Sequence, residues 1–119
     1  MCRRGDIYYV DFGDSIDTCK QTGIRPAVVV SNNKANEHSP VITVVPLTSK
    51  INKKKFLPTH VYIPFDVIHG LSYGSIALAE QVEAIDKVRL IIKMGSIAND
   101  EIMGKITRAI QVQIGVFEI

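Results

Sequence analysis

Arg25 and Thr48 are the residues of this 119-residue chain whose types suit chemistry on a phosphodiester. An arginine offers a planar fork of donors and stays charged at any cellular pH. It can therefore hold phosphate oxygens and stabilise the extra charge of a pentavalent transition state. A threonine hydroxyl can donate to a non-bridging oxygen. Arg25 lies in Gly23-Ile24-Arg25-Pro26-Ala27-Val28-Val29-Val30-Ser31-Asn32. Pro26 fixes its own φ and pushes Arg25 into extended backbone, so the guanidinium leaves the chain where loop becomes strand. Thr48 closes a second apolar run, Val41-Ile42-Thr43-Val44-Val45-Pro46-Leu47. If the two runs are antiparallel neighbours, the start of one lies beside the end of the other and the pair shares one edge of the sheet. A one-residue slip would break that pairing. Taken singly, each residue also fits a plainer role, a surface arginine beside an edge strand and a threonine capping a turn.

The charge distribution points the same way. The net charge of +2 is small. Residues 20–55 nevertheless carry Lys20, Arg25, Lys34, Lys50, Lys53, Lys54 and Lys55 against the single acid Glu37, a balance of +6, while the segments on either side each sum to −2. One third of the chain is basic, which points to an anionic partner met by one face, against the alternative of a solvated lysine loop at Lys53-Lys54-Lys55. Two more polar stations complete the rim: His60, and Glu80-Gln81 at the end of a further strand. His60 titrates near neutrality and offers a base, against the alternative that its strand satisfies it locally. The Gln81 amide can read a base edge.

Several chemistries are excluded. The chain has no Gly-rich phosphate loop, no Gly-x-Ser-x-Gly elbow, no carboxylate cluster with metal-ligand spacing and no recognition-helix pair. Cys2 and Cys19 make neither a disulfide framework nor a zinc site, and His38, His60 and His69 lack ligand spacing, so no metal or cofactor is expected. No apolar run approaches the roughly 20 residues of a membrane span, and the basic N-terminus has no apolar core behind it. A cytosolic residence is expected.

The elements that must position the rim can be read in order. Gly5 to Phe12 reads as a strand, residues 13–23 as a polar loop long enough for a functional lid, and Arg25 to Ser31 as a second strand. A polar turn at 32–40 leads to the third strand at 41–47, then a basic loop at 48–57. Residues 59–64 alternate as a strand with one face on the core, and 75–79 form another, with 80–85 continuing it or starting the next. Asp86 to Leu90 fits one helical turn capped by Asp86, before a last strand at 91–97. From Asn99 the period changes. Ile102, Met103, Ile106, Ala109, Ile110, Gln113, Ile114 and Phe117 recur at three- and four-residue steps, an amphipathic C-terminal helix capped by Asn99 or Asp100. Five to seven short strands, one longer helix and no βαβ alternation give a mainly β fold in a single domain: a small antiparallel β-barrel with a helical flank.

Five segments also carry a resemblance. Arg4-Gly5-Asp6-Ile7-Tyr8-Tyr9-Val10-Asp11-Phe12, the Gly23–Asn32 stretch, Val45-Pro46-Leu47-Thr48-Ser49, Pro58-Thr59-His60-Val61 and Glu80-Gln81-Val82-Glu83-Ala84-Ile85-Asp86-Lys87-Val88-Arg89-Leu90 follow one another in family order. The chain resembles the MazF/PemK (Kid) toxins of type II toxin–antitoxin modules, most of all the MazF endoribonucleases of Gram-positive bacteria. The resemblance implies an SH3-like barrel that dimerises, with single-stranded RNA lying in a groove across the dimer. It implies ribosome-independent, metal-independent cleavage of mRNA at a short sequence. The substrate's own 2′-OH attacks phosphorus and leaves a 2′,3′-cyclic phosphate and a 5′-OH, so DNA is no substrate.

On that resemblance Arg25 and Thr48 are the catalytic pair, and Lys20, Gln21, Ser31, Lys50, Lys53, Lys54, Lys55, His60 and Gln81 contact RNA. A MazE-like antitoxin is the implied partner, its acidic, disordered tail competing for the basic groove. One departure stands out. Where the family loop commonly carries Ser-Glu-Gln, this chain has Cys19-Lys20-Gln21, which leaves the general base unassigned and adds a phosphate contact at Lys20. Two other readings compete: a barrel like the CcdB toxins that poison DNA gyrase, although those lack the Arg/Thr pair, and a passive RNA-binding barrel.

Overall fold

The computed structural model describes residues 1–14, 20–50, 57–68, 71 and 73–117. Seven strands and two helices follow in chain order: β1 (Asp6–Asp11), β2 (Ile24–Val29), α1 (Asn33–His38), β3 (Val41–Thr48), β4 (His60–Ile63), β5 (Ser75–Leu78), β6 (Glu83–Asp86), β7 (Leu90–Ser96) and α2 (Asp100–Gln113). The strands pair antiparallel in the order β4-β5-β3-β2-β1-β7, with β6 also on β3. β3 is the hub. Its first four residues pair with β6, and Leu47 and Thr48 pair with β5. Serving two partners in succession makes one sheet curl into a barrel-like shape. The barrel is not closed: among the described residues, beyond the strand pairs, one bridge between Ile68 and Ile97 joins the segment after β4 to the end of β7.

The unbroken apolar runs in β2 and β3 are explained by burial on both faces, since a half-buried strand would alternate. Val28, Val30, Val45 and Leu47 join one core cluster with Val61, Ile63 and Ala77 of the β4–β5 side and with Ile102, Met103, Ile106 and Ala109 of α2. Ala27, Val29, Ile42 and Val44 face the other way, into a second cluster with Cys2, Val10 and Ile85, backed by Tyr8, Phe12 and Leu90. The centre of the sheet is thus packed from both sides.

The C-terminal helix forms where its period places it. The Asn99 side chain accepts from the Ile102 amide at 3.0 Å, and Asp100 and Glu101 occupy the first turn, where acids favour the helix dipole. The apolar stripe ends sooner than its sequence spacing implies. Ile114 lies beyond α2 and is exposed, and Phe117 packs beneath the Arg108 guanidinium, 4.0 Å from ring centroid to Cζ. At 87–89 the expected turn is a short 3-10 turn that begins after Asp86 without a side-chain cap bond. Where the sequence implied only a polar turn, α1 forms. Asn32 caps it by accepting from the Ala35 amide at 2.9 Å. Its one buried residue is Asn36, whose amide donates to the Ser31 carbonyl at 2.9 Å and accepts from the Ser31 hydroxyl at 2.5 Å. A helix held by polar bonds has no apolar stripe to betray it. Among the described residues, no helix is long and apolar enough to cross a membrane.

Candidate active site

The loop of residues 13–23 is closed at its neck by backbone. The Gly23 amide donates to the Gly13 carbonyl at 2.7 Å, and the Phe12 amide donates to the Gly23 carbonyl at 2.9 Å. Gly23 has φ +73°, a conformation that a side chain would strain. The chain turns there and enters β2 at Ile24, which puts Arg25 one residue inside the strand. The β2–β3 register runs Val29↔Val44, Val28↔Val45, Ala27↔Pro46. Continued two residues further, it sets Arg25 opposite Thr48, and both line one cleft of about 200 Å³. The edge-sharing expected from the two apolar runs is therefore found.

Each of the two presents an open donor. Arg25 is exposed, and its Nε donates to the Thr22 carbonyl at 3.0 Å, which fixes the base of the fork. Among the described residues, nothing accepts from either terminal nitrogen. Thr48 is 7% exposed, and its Oγ1 accepts from the Lys50 amide at 3.2 Å. One lone pair is thereby used, and the hydroxyl proton has no acceptor among the described residues. The charged residues of the lining are Arg25 and Lys50, both cations, so the cleft is built for an anion.

His60 is 5% exposed, at the first position of β4. Its Nδ1 accepts from the Leu57 amide at 3.2 Å, so Nε2 carries the proton and donates to Glu80 Oε2 at 2.9 Å. Glu80 Oε1 accepts from the Thr59 hydroxyl at 2.8 Å. Of the two roles open to His60, the geometry matches local satisfaction: its basic lone pair is already engaged. Gln81 accepts from the Gln21 amide at 2.7 Å, and Lys20 lies 3.4 Å from Glu83. These residues tie the end of the 13–23 loop to the chain after β5.

Ser31 lies six residues along from Arg25, roughly 20 Å away in an extended strand. Its hydroxyl is engaged with Asn36 and the Thr43 amide. It is not brought to the cleft. Lys53, Lys54 and Lys55 fall outside the described residues, as does Cys19.

Sequence reasoning missed the apolar half of the cleft: Tyr9, Ile24, Leu71 and Tyr73. Tyr9 had a usable signal, since its register partner in β1–β2 is Pro26, directly after Arg25. Tyr73 had none, standing in a Gly- and Ser-containing stretch of sequence with no periodicity. A larger concavity of about 500 Å³ lies between β4 and α2, with Tyr62, Pro64, Ile102 and Ala109 on its walls and Lys105 and Arg108 on the helix side. It holds neither Arg25 nor Thr48, and of the residues singled out in the sequence it takes in His60.

Comparison with known proteins fits this geometry. Residues 3–114 match the family described as PemK-like, MazF-like toxin of type II toxin-antitoxin system. The chain belongs to that family. A MazF endoribonuclease of Staphylococcus saprophyticus is 37% identical over 119 residues, covering 100% of this chain and 96% of the relative. Among solved structures, an endoribonuclease in complex with its cognate antitoxin from Mycobacterial species is 25% identical, with a TM-score of 0.73 and full coverage of both chains. MazF from Deinococcus radiodurans, at 21% identity and a TM-score of 0.77 over 96% of each chain, shares the fold. The PemK/MazF fold here carries Arg25 and Thr48 on adjacent strands of its curled sheet.

Proposed function

We propose that this chain is the toxin of a type II toxin–antitoxin module and an endoribonuclease that cuts single-stranded mRNA in the cytosol, without ribosome or metal. The observation that carries the reading is the pairing of an open arginine fork with an uncommitted threonine hydroxyl in a cleft whose charged lining is cationic. RNA supplies the nucleophile. Its 2′-OH gives up its proton to solvent water and attacks the adjacent phosphorus, the O2′–P bond forms, the P–O5′ bond breaks and the leaving 5′ oxygen takes a proton from water, giving a 2′,3′-cyclic phosphate and a 5′-OH. Arg25 stabilises the charge that grows on the equatorial oxygens, and Thr48 donates to one of them. A guanidinium is in general too weak an acid to serve readily as proton donor, and the Nδ1 lone pair of His60 is engaged by the Leu57 amide. Lys50 adds electrostatic attraction to the backbone, as Lys20 does at the end of the neighbouring loop.

The protein acts as a homodimer, and its antitoxin competes for the same cations with an acidic tail. Incubation with RNA in EDTA yields discrete fragments with 5′-OH ends, and saturating cognate antitoxin suppresses them. Arg25→Ala lowers kcat by about 100- to 1,000-fold, the usual cost of one transition-state donor. Cutting that continues undiminished in that variant would falsify the catalytic assignment.

A further inference from the structure

We infer that the cleft holding Arg25 and Thr48 also contains a stacking seat for one unpaired nucleobase, with the exposed ring of Tyr73 as its platform and Tyr9 and Ile24 as its walls. The inference rests on the endoribonuclease reading and adds the substrate group that the apolar half of that site receives. The chain has four tyrosines, four phenylalanines and no tryptophan, so aromatic surface is scarce. Among the described residues, the strongly exposed rings are Tyr62, Phe65 and Tyr73, and of these Tyr73 alone lines the cleft. It is 52% exposed, and Ile24 beside it is 60% exposed. Leaving two large apolar side chains open to water beside a cationic pair wastes burial that a ligand can recover.

The chemistry of the two halves selects the ligand. Arg25, Thr48 and Lys50 suit a phosphate, while Tyr73, Tyr9 and Ile24 suit a flat apolar face. A nucleotide of single-stranded RNA joins those two groups within one residue, and unstacked bases are commonly held on tyrosine rings. A volume of about 200 Å³ admits one base rather than a stack of several. The base belongs to one of the two nucleotides flanking the scissile phosphate, since the same cleft holds the catalytic pair. Stacking is tolerant of base identity, so the seat fixes the register of cutting and leaves the sequence preference to other contacts.

The test is a cycle with two variants and three RNAs: an oligoribonucleotide bearing a mapped cut site, and the same RNA made abasic on either side of the scissile bond with the 2′-OH kept. Tyr73→Ala is expected to lower kcat/KM on the intact RNA by about 5- to 150-fold, mostly through KM, the range that loss of one stacked base implies. Tyr73→Phe, which keeps the ring, should recover most of the loss seen in Tyr73→Ala. On one of the two abasic RNAs, Tyr73→Ala and wild type should be equal, because the group that stacks is already gone. No loss on the intact RNA, or the same loss on both abasic RNAs, would overturn the stacking seat while leaving the ribonuclease in place. A wild-type protein that cuts none of the three would overturn the ribonuclease reading and the seat with it. An acidic peptide that binds the cleft with the same Tyr73 dependence, with no dependence of cutting on either base, would assign the ring to a protein partner and also overturn the seat.

Discussion

At the scale of single residues, the site divides into groups left open and groups used up. Arg25 and Thr48 each spend one hydrogen bond on local backbone, and their remaining donors have no acceptor among the described residues. His60 does the reverse: one nitrogen takes the Leu57 amide and the other gives its proton to Glu80. Its value is positional, since it holds the carboxylate beside Gln81, and Gln81 holds the loop. His60→Gln, which can still donate to Glu80, is expected to keep most of the cleavage rate and the shape of the pH–rate curve. His60→Ala removes a buried ring and leaves the partly buried Glu80 carboxylate without that donor, and should cost about 1–3 kcal/mol of stability, read as a fall in the urea midpoint. A flattened acid limb in His60→Gln would return the imidazole to the reaction. Arg25 and Thr48 were legible because Pro26 and the two run lengths fix where each side chain leaves its strand. Tyr73 was not, because a ring in a stretch without periodicity gains meaning only from what the fold places beside it.

At the scale of elements, the loop of residues 13–23 is held at two places. Its neck is closed by the Gly13–Gly23 and Phe12–Gly23 backbone bonds, and its end by Gln81 and Glu83. The two end contacts differ in strength. The Lys20–Glu83 pair is exposed on the lysine side, a setting in which an ion pair contributes at most about 1 kcal/mol and fades with salt. The Gln21 amide is half-buried against Gln81, so removing its acceptor leaves a backbone donor unmade. Gln81→Ala should therefore speed limited proteolysis within 13–23 and raise KM several-fold. Glu83→Ala should do less, and its effect should vanish in roughly 0.5 M salt. Equal protease sensitivity in Gln81→Ala and wild type would show that the neck alone holds the loop. The strands and α2 were legible because apolar periodicity reports burial directly. The short helix α1 was not, because its determinants are an Asn32 cap and a buried Asn36. The sharing of β3 between β5 and β6 was not legible either, since strand partners distant in sequence leave no local pattern.

At the scale of the molecule, the rim that carries Arg25 and Thr48 and the helix-packed core lie in different parts of one sheet. β2 beyond Arg25 and β3 before Thr48 are packed on both faces, which anchors the strands that carry the rim. The helix α2 packs on β4 and on the Ala79–Gln81 turn, and none of its residues lines the Arg25–Thr48 cleft. Stability and catalysis should then separate at Ile106, which is fully buried in the α2-side cluster. Ile106→Ala leaves a cavity there and should cost about 2–5 kcal/mol, lowering Tm by on the order of 10 °C in a domain of this size. Assayed at 15 °C, where the folded form still dominates, the same variant should keep kcat/KM within about fivefold of wild type. Far-ultraviolet dichroism melts and cleavage of one mapped oligoribonucleotide measure the two quantities on a single sample. A hundredfold loss of cleavage in protein shown to be folded would mean that α2, through the Ala79–Gln81 turn and Gln81, sets the loop and the cleft together. The strands alone would then be too little to hold Arg25 opposite Thr48.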